Sequence, residues 1–188
     1  MPFGLGFFAT AGVSAAAGSF DLLETQTLTG SQASVTFSNL NTSYGSTYQH
    51  LQIRATTRGT RADTGSQLFI RINGDTGNNY RAHYMWGNGS SVQSATLSES
   101  GIWGGWTAGA NFTANGFGAM VLDLLDPFEA NKNRVVRIFQ GIAGYSEVSL
   151  ISGMRINTEA VSSLTISERT GANLAQYSRF SLYGWKAA

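Results

Sequence analysis

Two histidines, His50 and His83, and eleven carboxylates are all that this chain offers to acid–base or metal chemistry. Both histidines fall in stretches of alternating polarity, and neither has a His, Cys or carboxylate neighbour at a spacing typical of zinc ligands. They read as solvated or hydrogen-bonded structural side chains. Asp123 and Asp126 stand three apart in a strand entering a turn, so a period of two sends them to opposite faces and weakens any paired-carboxylate site. Gly74-Asp75-Thr76-Gly77 and Gly87-Asn88-Gly89-Ser90-Ser91 are rich in glycine but lack the lysine of a phosphate loop, and they read as hairpin turns. With no cysteine, a disulfide, a thiolate metal site and a cysteine nucleophile are excluded. Calcium at a loop carboxylate such as Asp75 or Asp126 is the cation site to check, although acids are sparse. The expectation is a protein without catalytic residues, bound metal or cofactor.

The aromatics offer a different chemistry. Trp86, Trp103, Trp106 and Trp185, with Tyr84 and Tyr183, suit either core packing or a platform for sugar rings. Trp103 and Trp106 lie in the one long irregular stretch, Glu99 to Asn115, interrupted by Gly104 and Gly105. That stretch is expected as a surface loop that contacts a neighbouring subunit or a glycan.

The elements that must position these residues are strands. From Phe20 onward polarity alternates with period two and no helical spacing is sustained. Candidate strands run Phe20 to Leu28, Ala33 to Leu40, Tyr48 to Arg58, Ser66 to Ile72, Asn79 to Trp86, Ser91 to Leu97, Phe117 to Leu125, Arg134 to Ile142, Glu147 to Ile156, Ser163 to Glu168 and Tyr177 to Trp185. Short strands separated by regular turns predict an all-β fold, an antiparallel β-sandwich of jelly-roll type. Phe117 to Leu125 and the run Val135-Val136-Arg137-Ile138-Phe139 are apolar on both faces, as central strands covered on both sides would be. A hairpin closed around Glu129 and Ala130 sets Asp123 across from Arg137, the one acid and one base inside these runs, and predicts an ion pair.

At 188 residues the chain fits one domain at 20–188, preceded by a segment at 1–19 of different composition. That segment, MPFGLGFFATAGVSAAAGS, carries no charge. A secretory signal would carry Lys or Arg ahead of its apolar run, and glycines interrupt any membrane span. Phe3, Leu5, Phe7 and Phe8 predict an extended arm that docks in a groove of a neighbouring subunit. Charged residues make up only 12% of the chain, about half the usual share, with a formal net charge of +1. Such a surface suits permanent contact with other subunits, and it has no field to draw in nucleic acid or an anionic membrane.

Several stretches resemble a family of small virion structural proteins of tailed bacteriophages, including cyanophages. These are FDLLETQTLTGSQASVTFSNL from Phe20, TYQHLQIRATTR from Thr47, LFIRINGDTGNNY from Leu68 and RFSLYGWK from Arg179, together with the opening MPFGLGFF. The likeness covers nearly the whole chain, and its weight lies in the order of the motifs, none of which is catalytic. The resemblance implies a component of the virion. The leading expectation is a capsid decoration or cement protein that packs against copies of itself and against the major capsid protein. A homotrimer follows from jelly-roll precedent. The alternative is a tail or head fibre subunit that binds a host surface glycan through Trp103 and Trp106.

Overall fold

The computed structural model describes residues 19–144 and 147–186, so the arm residues Phe3, Leu5, Phe7 and Phe8 lie outside the described residues. Twelve strands and one short helix follow in the order β1 (Phe20–Thr27), β2 (Ser34–Phe37), α1 (Leu40–Tyr44), β3 (His50–Thr57), β4 (Gly65–Ile72), β5 (Tyr80–Gly87), β6 (Val92–Glu99), β7 (Ile102–Ala108), β8 (Gly118–Leu125), β9 (Arg134–Ile142), β10 (Glu147–Arg155), β11 (Leu164–Glu168) and β12 (Arg179–Trp185). They form an antiparallel β-sandwich. One sheet has eight strands in the order β1-β12-β3-β8-β9-β10-β5-β6, and the other has four, β2-β11-β4-β7.

Alternation along each strand decides which face meets the other sheet. In β9, Val136, Ile138 and Ile142 are buried while Val135, Arg137 and Phe139 are exposed. Met120, Leu122 and Leu124 of β8 and Leu51 and Ile53 of β3 extend this inner face, and Val35, Phe37, Leu68, Ile70, Ile72 and Ile166 meet it from the smaller sheet. Each such side chain contributes about 1.5–3 kcal/mol by leaving water, which is what holds the layers together. The smaller sheet covers only one face of β8 and β9, so among the described residues the expected cover on both sides is absent.

Local backbone chemistry sets the crossings. Asn73 and Gly74 both have positive φ, 55° and 65°, and the Asp75 N–H donates to Ile72 O at 3.1 Å. This is the tight turn that the Asn-Gly signal predicts. It does not close a hairpin, however, because β4 belongs to the four-stranded sheet and β5 to the eight-stranded one. The turn carries the chain from one layer to the other. Buried Tyr80 fastens it, since its hydroxyl accepts from the Ile72 N–H at 3.1 Å and lies 3.1 Å from Asp75 O. By contrast, Gly87 to Ser91 does join paired neighbours, β5 and β6, as a hairpin turn should.

The stretch expected as a surface loop contains β7 instead, paired with β4. Its two glycines are what hid it. A Cβ on Gly104 would stand 2.5 Å from the Ile70 side chain, and Gly105 has φ +88° and would meet Gln140 Oε1 at 2.6 Å. The register shifts between Gln67 and Phe69 opposite these glycines, so they mark a β-bulge inside a strand. The loop after β7 is ordered by Arg58, whose guanidinium donates to the carbonyls of Ala110, Phe112, Thr113 and Gly116.

Candidate functional site

A sheet of four strands cannot cover a sheet of eight, and the mismatch leaves a cleft at the β5–β6 end. β7, the edge strand of the smaller sheet, lies over β8, β9, β10 and β5. Beyond it the inward residues of β5 and β6 are covered less completely. Tyr80 and Ala82 are buried, whereas Tyr84, Trp86 and Leu97 on the same face are only half-buried. They line one wall of a cavity of about 390 Å³, and Trp103, Trp106, Gln67 and Arg169 line the other.

The cleft is aromatic and polar at once. Tyr84 sits between two tryptophans, its ring centroid 4.4 Å from Trp103 and 5.4 Å from Trp86. The Arg61 guanidinium lies 6.0 Å from the Trp106 ring centroid and is matched by Asp63 at 3.3 Å. Glu147, at the start of β10, brings a carboxylate to the cleft and accepts from the Ser149 hydroxyl at 2.8 Å. Burial pushes its pKa up, against the opposing effect of that hydrogen bond. Arg169 is already engaged, by Glu99 at 2.5 Å and by Gln67 Oε1 at 3.0 Å. Behind Trp106, buried Gln140 accepts the Trp106 backbone N–H at 3.1 Å, while its Nε2 has no hydrogen-bond partner among the described residues.

The outer face of the eight-stranded sheet is the second feature with functional content. Arg54, Val121, Phe139, Leu150, Met85 and Ser94 stand in one cross-strand row over β3, β8, β9, β10, β5 and β6. Phe139 is 53% exposed and Leu150 49%, and Val148 and Val92 stand in the open in the next row on one side. Met85, Phe139, Leu150, Val148 and Val92 thus leave exposed apolar surface on this face.

Asp123 and Arg137 face each other in the adjacent row, with Arg137 Nη2 3.0 Å from Asp123 Oδ2 and Gln52 Nε2 2.7 Å from Asp123 Oδ1. Arg137 is well exposed, so this pair lies on the open face rather than in a doubly covered layer. Its worth is that of a surface pair, at most about 1 kcal/mol. Trp103 and Trp106 come together in the cleft from a strand, not from a projecting loop, and Trp103 is buried against Tyr84. Sequence reading missed Glu147, Arg169 and Gln67 as partners of these rings, since only the sheet mismatch brings them close.

His50 Nδ1 accepts the Asp126 N–H at 3.0 Å, which gives this histidine a structural task, and His83 is exposed on the outer face. The two loop carboxylates considered for calcium are engaged by cations of the chain itself, Asp75 by Arg155 at 2.9 Å and Asp126 by Lys132 at 2.5 Å. Among the described residues no group of three or more His, Cys, Asp or Glu is arranged to hold a metal ion. No helix among them is long and apolar enough to cross a membrane.

No protein-family model matches the chain, and no curated protein matches it. Among solved structures, an alginate lyase of polysaccharide lyase family 14 from Aplysia kurodai is similar, at 13% identity and a TM-score of 0.35 over 74% of this chain and 69% of that one. A galectin of Caenorhabditis elegans is similar at 14% identity and a TM-score of 0.31, over 87% of this chain and 95% of that one.

Proposed function

We propose that the chain is a non-enzymatic structural subunit of a tailed-phage particle, most specifically a capsid decoration protein that works by packing. The observation that supports this reading best is the row of exposed Phe139, Leu150 and Met85 with half-buried Val121, on a chain in which only 12% of residues are charged. Water around such a row is released when a second surface closes over it, and the gain grows with the apolar area covered. The covering surface is another copy of the chain. With a formal charge of +1 the protein offers no strong field to a charged partner, whereas Asp123 and Arg137 put one acid and one base beside the row, so that copies can complement each other. Three copies form the expected assembly. The arm residues Phe3, Leu5, Phe7 and Phe8 then add a contact to the major capsid protein, and repetition over many sites turns modest affinity into durable attachment.

The non-enzymatic reading draws its support from the lining of the cleft. Among the described residues Glu147 is the one carboxylate in that lining, whereas glycoside cleavage by the usual route needs two that flank the scissile bond. A second reading, a fibre subunit that grips a host glycan, draws support from the same aromatic cleft. Copy number on purified heads that lack tails separates the two. Full occupancy of the heads is the result expected of decoration, and presence only on tails or fibres overturns it.

A further inference from the structure

We propose that the cleft beneath the β5–β6 overhang binds a neutral pyranose saccharide, with Trp86 and Trp106 stacking on the sugar and Glu147, Gln67 and Arg169 holding its hydroxyls. The inference does not depend on where in the particle the chain sits.

Incomplete packing is the first ground. The core aromatics Phe37, Tyr80 and Phe180 are at most 1% exposed, so this sequence closes its interior well where it needs to. Tyr84, Trp86 and Trp106 remain half-buried around a cavity of about 390 Å³, a volume within the range of small-molecule sites. Aromatic rings left partly open beside polar groups match the two surfaces of a pyranose, whose C–H face is apolar and whose rim is a ring of hydroxyls. A hydroxyl both donates and accepts. Glu147 supplies acceptors, and Gln67 and Arg169 supply donors.

Charge selects among sugars. Arg169 is already matched by Glu99, and burial already disfavours the carboxylate form of Glu147. An anionic sugar would bring further negative charge beside Glu147, where Arg169, the one cation among the described lining residues, is already paired and Arg61 near Trp106 is matched by Asp63. A wholly apolar ligand fits no better, because it would cover the Glu147 carboxylate and the Gln67 amide without adding a hydrogen bond to those they have from Ser149 and Arg169. The neutral, hydroxyl-rich class is the one that satisfies both limits.

The test is titration of the full chain with lactose, maltose and mannobiose, and with digalacturonate as the charged control, read by intrinsic tryptophan fluorescence and by saturation-transfer NMR. Saturable binding of at least one neutral disaccharide is expected, about tenfold or more weaker in both Trp106→Ala and Glu147→Gln. Glu147→Gln keeps the side-chain shape and removes a charge that burial penalises, so a loss of binding there is not a loss of fold. No saturable binding by any of the three neutral sugars overturns the proposal. So does binding that survives unchanged in both variants, or digalacturonate binding as tightly as the best neutral sugar.

Discussion

Arg155 on β10 is 4% exposed and holds Asp75 of the β4–β5 turn, with Nε 2.9 Å from Oδ2. Its Nη2 also reaches Glu159 at 3.2 Å. This pair ties the crossing turn between the two layers to the strand beside β5, so one buried guanidinium fixes how the four-stranded sheet enters the eight-stranded one.

Removing the acid strands the base. Asp75→Asn leaves Arg155 with the largely exposed Glu159 as its one carboxylate partner among the described residues and is expected to destabilise the chain by about 3 kcal/mol, read as a lower midpoint in urea. Asp123→Asn, which disturbs a pair on the open face, should cost less than about 1 kcal/mol in the same measurement. Equal losses at the two positions would contradict the burial contrast.

The same pair sets the acid limit. The Arg155 hydrogen bond, with the Gly77 N–H, holds the Asp75 carboxyl below its ordinary range, and Lys132 does the same for Asp126. A depressed folded pKa contributes stability that is complete above the unfolded value near pH 4 and is lost as pH falls through the folded value. Unfolding free energy is therefore expected to hold as pH falls to about 4 and to drop below it, with a shallower drop in Asp75→Asn.

Glu147 carries the opposite sign. Burial raises its pKa, so its ionised form weighs against folding as pH rises past the unfolded value. Glu147→Gln should melt higher than the parent at pH 7, and the difference should vanish by about pH 4, where both side chains are neutral. Parallel melting curves at the two pH values would rule out the burial effect.

Gly105→Ala is expected to destabilise by more than about 1 kcal/mol. It places a Cβ at φ +88° and 2.6 Å from Gln140 Oε1, next to the hydrogen bond that Gln140 makes to the Trp106 N–H. Calorimetry should show the loss, and the tryptophan emission of the cleft should change with it.

Most of the fold was legible because period-two alternation is a local property. Leu51, Ile53 and Ala55 face inward whatever their strand pairs with, and the turn chemistry of Asn73-Gly74 is fixed by two residues. The opposition of Asp123 and Arg137 followed from the hairpin arithmetic alone. β7 was not legible, since Gly104 and Gly105 look like a loop until Ile70 and Gln140 are seen filling the space of the missing side chains. Nor could the cleft be read, because Glu147 and Trp106 are forty-one positions apart and meet only where one sheet runs out before the other. The outward Val121 and Phe139 looked like residues of doubly covered strands for a related reason. Alternation identifies faces, but it does not say which face a second layer will cover.

Sedimentation equilibrium of the full chain against a Phe139→Glu, Leu150→Glu variant bears most directly on the claim that the outer face is completed by another copy. The parent should sediment as an oligomer and the variant as a monomer that keeps the parent's β-sheet circular dichroism and unfolds cooperatively, since both side chains lie on the open face of the single chain. A parent that stays monomeric at every concentration, or a variant that assembles as the parent does, would contradict it.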